Sequence, residues 1–282
     1  MKKIITLFIF IFIVQYCFSA DNDSVKPKPV RSYIGVYAGL GAGSIRDYST
    51  SPLFYSALYA LPRLDYSYYW NKNILYFDLK VLSGIYAVNI NNNAYGGSGL
   101  ILDFKTSYFR ELPFKSTKLN LKQYWGASLS NYFDYRTNEA FMNAALIFDN
   151  FTTLEANYKF ELRYTKKAKQ KKILFIKYMR KEKNYLMALN VGIPFYSLIY
   201  RPGFSVVGNA TVNDSKIFRG YELGNRFFPG LNTDFSIARV LNNGNMFKLS
   251  YCWDMFSTGK GSYYNLNSAK HLIMISLIVN LK

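Results

Sequence analysis

The chain has 282 residues; half of them are apolar, 18% are aromatic, and the formal net charge is +18. This composition excludes an intrinsically disordered chain, which has few aromatic residues and many charged ones. Two cysteines in a chain of this length also exclude a disulfide-stapled scaffold. We therefore expect stability to come from burial of apolar surface, either in a protein core or in a membrane.

The N-terminus has the pattern of an export signal. Lys2 and Lys3 precede an almost unbroken apolar run from Ile4 to Val14, and small residues follow at Ser19 and Ala20. A basic start, a short apolar core and small residues at a cleavage point are typical of a secretory signal peptide. The run is well short of the roughly 20 residues that a membrane-spanning helix needs. We predict a signal peptide over residues 1–20 and a flexible lead-in over 21–31.

Apolar and polar side chains alternate along most of the remaining chain. The clearest case is residues 154–164, where one face of an extended strand carries Leu154, Ala156, Tyr158, Phe160, Leu162 and Tyr164. The opposite face carries charged and amide side chains, and residues 247–255 repeat this arrangement. A period of two places successive side chains on opposite faces of a strand. The pattern predicts an all-β fold.

The same pattern extends over one domain, residues 32–282, in which we find no convincing helix. It predicts strands over 32–43, 64–70, 74–86, 99–110, 118–132, 139–148, 154–165, 172–180, 185–193, 197–207, 233–241, 246–256 and 270–281, with 53–61 as a further candidate. Many of these segments have the roughly 9–11 residues that a tilted strand needs to cross a bilayer. We predict about 12 strands, within a range of about 10–14.

The connections between these segments differ in length. Leu241 to Asn245 forms a tight turn, whereas 208–232 and 257–269 are long. Alternation of short and long connections is typical of outer-membrane barrels. By this rule the stretch from Asn89 to Gly97 becomes a long connection on the side of the short turns.

In its signal peptide, its alternating aromatic strands and its last strand, His271 to Lys282, the chain resembles bacterial outer-membrane β-barrel proteins. Its Tyr- and Asn-rich strands and its Leu-Lys ending are similar to barrels of the Bacteroidetes group. The resemblance implies an antiparallel transmembrane up-and-down barrel in a Gram-negative outer membrane, inserted by the outer-membrane insertion machinery. It also implies a porin-like narrow channel, or a structural or assembly component of the cell envelope. The usual aromatic final residue is replaced by Leu281-Lys282.

Four charged residues lie opposite the apolar row of residues 154–164: Glu155, Lys159, Glu161 and Arg163. In a barrel whose apolar row faces lipid, these residues are predicted to line the lumen. Mutual pairing would plug the lumen, whereas an unpaired row would line a pore.

Five lysines fall within seven residues between two predicted strands: Lys166, Lys167, Lys169, Lys171 and Lys172. They form either a solvated turn or a contact with an anionic partner such as lipid headgroups, an acidic glycan or an envelope protein. Export would keep the chain away from nucleic acid.

The sequence offers little for catalysis. A barrel of the lipid A deacylase type, which this chain resembles in architecture, needs a His with a nearby Ser and a carboxylate. His271 is the single histidine, and Ser276 would face the other side of the same strand. We predict no catalytic residue, no cofactor and no metal site. A lipid-modifying barrel enzyme and a soluble periplasmic β-sheet binding protein remain the alternatives.

Overall fold

A computed structural model describes residues 31–49, 51–90, 93–113, 120–137, 146–173, 176–202, 221–226, 229–259 and 265–281. The predicted signal peptide lies outside these residues. The strands are β1 Arg31–Asp47, β2 Ser51–Trp70, β3 Asn73–Ile90, β4 Asn93–Glu111, β5 Asn120–Thr137, β6 Leu146–Lys166, β7 Lys169–Ile173, β8 Ile176–Arg180, β9 Lys183–Pro202, β10 Tyr221–Arg226, β11 Gly230–Val240, β12 Met246–Ser257 and β13 Leu266–Leu281.

Ten of the described strands close into an antiparallel ring, in the order β1, β2, β3, β4, β5, β6, β9, β11, β12 and β13, with β13 pairing back to β1. The extra strand β10 pairs with the last part of β9, beyond the stretch that pairs with β11. Strands β7 and β8 form a separate hairpin between β6 and β9. The predicted antiparallel β-barrel is confirmed, and the count of about twelve strands is slightly too high.

The predicted number of strands is too high because prolines and polar stretches interrupt the alternating pattern within single long strands. Pro194 lies inside β9, where Leu154 pairs with Tyr196 and Glu155 pairs with Pro194, leaving Phe195 as the extra residue of a bulge. A bulge accommodates a residue that cannot donate a backbone hydrogen bond. In the same way, Pro62 lies within β2, which joins two predicted segments into one strand. The predicted segment 172–180 belongs to the hairpin and not to the barrel wall.

The strands are strongly tilted. The tilt follows from the pairing register. Starting at Val36 on β1 and moving from each residue to its paired residue on the next strand, one reaches Thr152 on β6 by way of β2 to β5. In the opposite direction, by way of β13, β12, β11 and β9, one reaches Tyr164 on β6, so the two routes differ by a stagger of 12 residues. With strands about 4.8 Å apart and a rise of about 3.3 Å per residue, this stagger gives a tilt of about 40° and a backbone radius of about 10 Å. On each step from β1 toward β6, the paired residue therefore lies slightly more than one residue further along the barrel axis, toward the end of the barrel where β1 ends.

The even number of strands places both ends of the described chain at one end of the barrel, named here the terminus end. This end also carries the turn at 71–72, the connection 112–119, the β7–β8 hairpin and the turn at 241–245. The opposite end, named the loop end, carries the connections 48–50, 91–92, 138–145, 203–220 and 258–265. The predicted connection from Asn89 to Gly97 is wrong, because β3 and β4 remain paired up to Ile90 and Asn93 at the loop end.

Apolar side chains face outward from this barrel. Leu40 is 71% exposed and Ile275 is 68% exposed, and the two neighbours of Ile275 along its strand, Met274 and Ser276, are buried. Asp134 and Asp149, in contrast, are fully buried. This polarity is the reverse of that in a water-soluble protein, whose apolar residues are inside and whose charged residues are seldom buried. In the described part of the chain, no helix is long and apolar enough to cross a membrane.

The apolar outer surface forms a band with polar limits. When the stagger is taken into account, the outward residues Arg110, Gln123 and Arg239 fall at one height near the terminus end. His271 and Asn131 fall at a second height, about 20 Å closer to the loop end. The spacing is close to the roughly 25 Å apolar band of outer-membrane barrels. Aromatic side chains lie near the first limit (Trp70, Tyr108, Trp125) and near the second (Phe133, Tyr135, Tyr200).

Glycines on the inner face of β1 make room for the interior side chains. A Cβ atom added at Gly39 would clash with the carbonyl oxygen of Ile273 and with Met274, and one added at Gly41 would clash with Leu272. Close approach of neighbouring groups is a frequent reason for glycine within a strand. The β1 wall is therefore thin, and β13 side chains pack over it into the interior.

Candidate functional site: the charged barrel interior

Interior side chains reach across the full width of the barrel. Lys270 of β13 donates a hydrogen bond of 3.2 Å to the hydroxyl of Tyr132 on β5. In the ring of ten strands, β5 lies directly opposite β13. The Lys270 ammonium also lies 4.3 Å from the ring centre of Tyr132 and 5.7 Å from that of Phe256. These contacts form a bridge across the diameter.

A buried arginine forms a second bridge, closer to the terminus end. Arg63 of β2 is 3% exposed; its Nε lies 2.7 Å from Asp78 and its Nη1 3.0 Å from Asp234 on β11. Its Nη2 donates to the hydroxyl of Tyr76 at 2.8 Å, and that hydroxyl donates to Asp65 at 2.7 Å. Asp234 lies four strands from Arg63 around the ring, so the contact spans most of the interior.

Lys80 lies between the first two bridges. Its ammonium is 3.3 Å from Asp103 on the neighbouring strand and 3.5 Å from Asp254 on β12, four strands away. A lysine so placed is held by carboxylates from both sides of the barrel. Burial of an unpaired ammonium would be costly, so the two carboxylates account for its position.

Glu155 is 2% exposed and has partners on three strands. It forms an ion pair with Lys105 on β4, accepts a hydrogen bond of 2.6 Å from the amide of Asn232 on β11, and lies 3.4 Å from the hydroxyl of Ser130. Because neither β4 nor β11 neighbours β6, these contacts run through the interior. Glu155 is thus held by paired contacts on the inner face.

Lys159 and Glu161 form a pair of their own near the terminus end. The Lys159 ammonium lies 2.8 Å from Glu161, which is 2% exposed, and the Tyr69 hydroxyl lies 3.5 Å from the same carboxylate. The ammonium is surrounded by the rings of Tyr69, Phe109 and Tyr124, at 5.6 to 6.0 Å from their centres. Arg163, the fourth residue predicted to line the lumen, is exposed at the mouth of the terminus end. The structure pairs Lys159 with Glu161 and gives Glu155 partners of its own, while Arg163 lines the recess at the terminus end together with Glu161.

Two arginines and three aspartates form a cluster at the loop end. Arg136 contacts Asp149, lies 2.9 Å from Asp47 and lies 3.4 Å from Asp134. Arg201 is 1% exposed and lies 2.6 Å from Asp47 and 3.3 Å from Asp149. The five residues join β1, β5, β6 and β9. Arg201 lies near the end of β9, so the cluster ties the loop end of β9 to β1, β5 and β6.

The sequence analysis predicted that the charged residues of β6 face the interior, but it did not predict this for the charged residues of the other strands. A signal was present: acid and base recur two residues apart on neighbouring strands, as in Arg63/Asp65, Asp78/Lys80, Asp103/Lys105 and Asp134/Arg136. Residues two apart on a strand share a face. Opposite charges at this spacing indicate an inner face that is charged but nearly neutral overall.

The charged layers are separated by small cavities. One of about 70 Å³ is lined by residues including Lys80, Glu155 and Lys270, and one of about 100 Å³ by residues including Arg63 and Asp234. Each has room for a few water molecules. A wider recess of about 540 Å³ opens at the terminus end.

The predicted lysine cluster lies at the terminus end. Lys166, Lys167 and Lys169 are exposed at the end of β6 and the start of β7. Lys171 and Lys172 continue the backbone of β7, and their side chains lie outside the described residues. The cluster therefore borders the barrel mouth and does not enter the interior.

The histidine that a barrel enzyme would need lies on the outer wall. The Nδ1 atom of His271 is 2.7 Å from the hydroxyl of Tyr251, and its ring stacks on Trp253. Ser276 is on the inner face of the same strand. Among the described residues, no group of three or more His, Cys, Asp or Glu side chains is placed to hold a metal ion.

Comparisons with known proteins give structural neighbours but no family. The sequence matches no protein-family model and no curated protein. Neisserial surface protein A aligns at 11% identity over 89% of this chain and 99% of that chain, with a TM-score of 0.35. A deltaS2 mutant of the TodX monoaromatic hydrocarbon channel aligns at 7% identity over 90% and 91%, with a TM-score of 0.33. The translocator domain of the autotransporter NalP from Neisseria meningitidis aligns at 4% identity over 98% and 96%, with a TM-score of 0.32.

The closed wall, its apolar outer band and its charged interior together decide the class of the protein. Only a barrel satisfies every backbone hydrogen bond of a β-sheet in lipid, because it has no free edge. The chain is an outer-membrane-type β-barrel.

Proposed function

We propose that the protein is an exported outer-membrane barrel with a closed interior, acting as a structural or assembly component of the cell envelope rather than as a permanently open pore. The observation that carries this proposal is the bridging of the interior between opposite strands. Barrels of about eight strands are filled by their side chains, whereas those of sixteen or more leave an aqueous channel. Ten strands with bulky charged pairs belong with the filled class.

The bridges occur at successive heights. From the terminus end, they comprise the contact of Tyr69 on β2 with Glu161 on β6, the Arg63 layer, the Lys270–Tyr132 bridge and the Arg136–Arg201 cluster. An ion would have to pass every layer in turn. Separating the partners of a buried pair leaves both charges buried without compensation, which opposes opening of any single layer.

A gated narrow channel is the second candidate. It is favoured by the two interior cavities, because both are lined by Lys80, Lys105 and Asp254 and so lie on either side of the same ion pairs. Movement of the Lys80 side chain away from Asp103 and Asp254 would connect the two cavities without breaking the barrel wall.

Conductance in planar bilayers tests the proposal. We expect the wild-type barrel to show no steady current. A Lys270→Ala, Tyr132→Ala double variant, which removes the bridge across the diameter and leaves the other three layers in place, should show at most brief openings. Leu249→Ala, on the outer wall, is the matched control and should remain silent. A steady wild-type current would refute the closed interior, while brief wild-type openings that the double variant converts to a steady current would favour the gated channel.

Membrane placement is tested separately. Carbonate extraction and flotation with vesicles should leave the folded protein with the membrane, because its outer surface is apolar. Recovery in the soluble fraction would instead favour a periplasmic β-sheet binding protein. We also propose that the terminus end faces the periplasm, as in barrels with an even number of strands.

A further inference from the structure

Basic residues face each other repeatedly across the strands next to the terminus end. Lys166 of β6 pairs with Lys183 of β9, and Lys169 of β7 pairs with Arg180 of β8. Lys172 pairs with Lys177 further along the hairpin. Like charges directly opposite each other on neighbouring strands are destabilising. The Lys166–Lys183 pair, in which the structure describes both side chains, therefore calls for an anionic partner that offsets its repulsion.

The first of these pairs continues an aromatic pair on the outer face. Tyr164 pairs with Tyr185, and Lys166 pairs with Lys183 two residues closer to the terminus end. Residues two apart share a face, so the lysines continue the outward row below the tyrosines. Tyrosine favours the membrane–water interface, where its ring is in the apolar layer and its hydroxyl is wet. The lysine pair therefore lies at the depth of the lipid headgroups.

Other basic residues extend this surface around the barrel. At the terminus end, the described residues that face outward or lie in turns include the basic residues Lys72, Arg110, Lys166, Lys167, Lys169, Lys181, Lys183 and Arg239. Of the described residues at this end that face outward or lie in turns, Glu182 is the one acidic residue. Glu111 and Glu161 are at the same end but turn inward to Lys122 and Lys159. The outward surface is thus basic on β2–β3, β4, β6, β9 and β11.

We propose that this basic surface binds the anionic phospholipid headgroups of the leaflet at the terminus end. Basic side chains near an anionic surface each contribute about 1 kcal/mol, equivalent to about fivefold in affinity, and the effect decays within a Debye length. The two lysines of the Lys166–Lys183 pair repel each other in a neutral membrane, and their pairing becomes favourable when a lipid phosphate lies between them. The inference rests on the proposed membrane location and adds its lipid class and its orientation.

Vesicle experiments with the full mature chain test this inference. The variant carries four changes, Lys166→Gln, Lys183→Gln, Lys169→Gln and Arg180→Gln, and the control is Arg46→Gln at the loop end. Each protein is refolded into zwitterionic vesicles and into vesicles containing phosphatidylglycerol. The urea midpoint is measured in both, and the phosphatidylglycerol retained per barrel is measured by native mass spectrometry.

The wild type and the control should have a higher urea midpoint in the anionic vesicles and should retain phosphatidylglycerol. The variant should show a clearly smaller midpoint difference, because basic residues such as Lys72, Arg110 and Arg239 remain, and its retention should fall at least fivefold. In zwitterionic vesicles the variant should be as stable as the wild type or more so, because like-charge repulsion has been removed. A merely structural role of the four residues would instead lower its stability in both lipids.

Three results would overturn the inference. One is a wild-type midpoint that does not depend on phosphatidylglycerol. The second is stabilisation by soluble polyglutamate in zwitterionic vesicles that equals the lipid effect, which would assign the surface to an acidic polymer. The third is failure to insert into either vesicle, which would also refute the proposed function, whereas insertion without lipid preference refutes this inference alone.

Discussion

A single charge introduced at the middle of the apolar outer band tests whether the apolar side chains of the barrel wall face the lipid. Ile275 is 68% exposed, and its paired neighbours on the two adjoining strands are Ala38 and Leu249. By the stagger of the strands, it lies about 10 Å above the height of Arg239, close to the centre of the apolar band. Ile275→Arg should therefore place a guanidinium at mid-bilayer.

The expected cost is about 2–4 kcal/mol, the range for Arg or Lys on the lipid face at the midplane. Leu162→Arg is the matched control, because Leu162 also faces outward but lies at the height of Arg239, near the terminus-end limit of the band. There the cost falls to about 0–1 kcal/mol, since a long basic side chain extends to water. The two variants differ in depth and not in chemistry.

Urea titration of the refolded barrel in vesicles, followed by tryptophan fluorescence and by heat-modified gel mobility, measures both. With a urea dependence of about 1–3 kcal/mol per molar, a loss of about 3 kcal/mol lowers the midpoint by at least about 1 M. Ile275→Arg should show this shift and Leu162→Arg should not. Equal midpoints for the two variants would refute the assigned band, and a larger loss for Leu162→Arg would place the membrane nearer the terminus end.

Two interior sites and one thin part of the wall give further predictions. Arg201→Ala should cost about 3–5 kcal/mol in the same urea assay, because it leaves Asp47 and Asp149 buried with fewer partners; an unchanged midpoint would contradict the pairing. Cys252, which is 1% exposed, should resist maleimide in the folded barrel and react in urea; rapid labelling without urea would indicate an open interior. Gly39→Val should lower the yield of heat-modifiable barrel, since its side chain would overlap the backbone of the adjoining strand; a normal yield would show that this wall can shift.

The class of the fold could be predicted because alternation is a local property. Eleven residues such as 154–164 are enough to separate two faces, whatever the rest of the chain does. The number of strands depends on pairing, which is not local. Pro194 ends a strand in most contexts, but here the neighbouring β6 accepts a bulge at Phe195 and the strand continues. Nothing near Pro194 in the sequence reveals this neighbour.

The interior bridges could not be predicted from the sequence, because they too depend on non-local pairing. Arg63 and its partner Asp234 are 171 residues apart, and Lys270 and Tyr132 are 138 apart. Which residues meet across the barrel is decided by strand number and stagger together, and a change of one strand would bring different side chains to face each other. The acid–base spacing on each strand could have predicted that the interior is charged, but not its pairs.

The distribution of charge explains why a strongly basic chain has a nearly neutral interior. Most of the 17 acidic residues occupy inward positions of the described strands, namely Asp47, Asp65, Asp78, Asp103, Glu111, Asp134, Asp149, Glu155, Glu161, Asp234 and Asp254. A similar number of basic residues faces them there, including Arg63, Lys80, Lys105, Lys122, Arg136, Lys159, Arg201, Lys248 and Lys270. Among the residues that the structure describes, the basic excess therefore lies outside the interior. Net charge here describes the surfaces that meet lipid and partners, and it carries no information about what the interior would select.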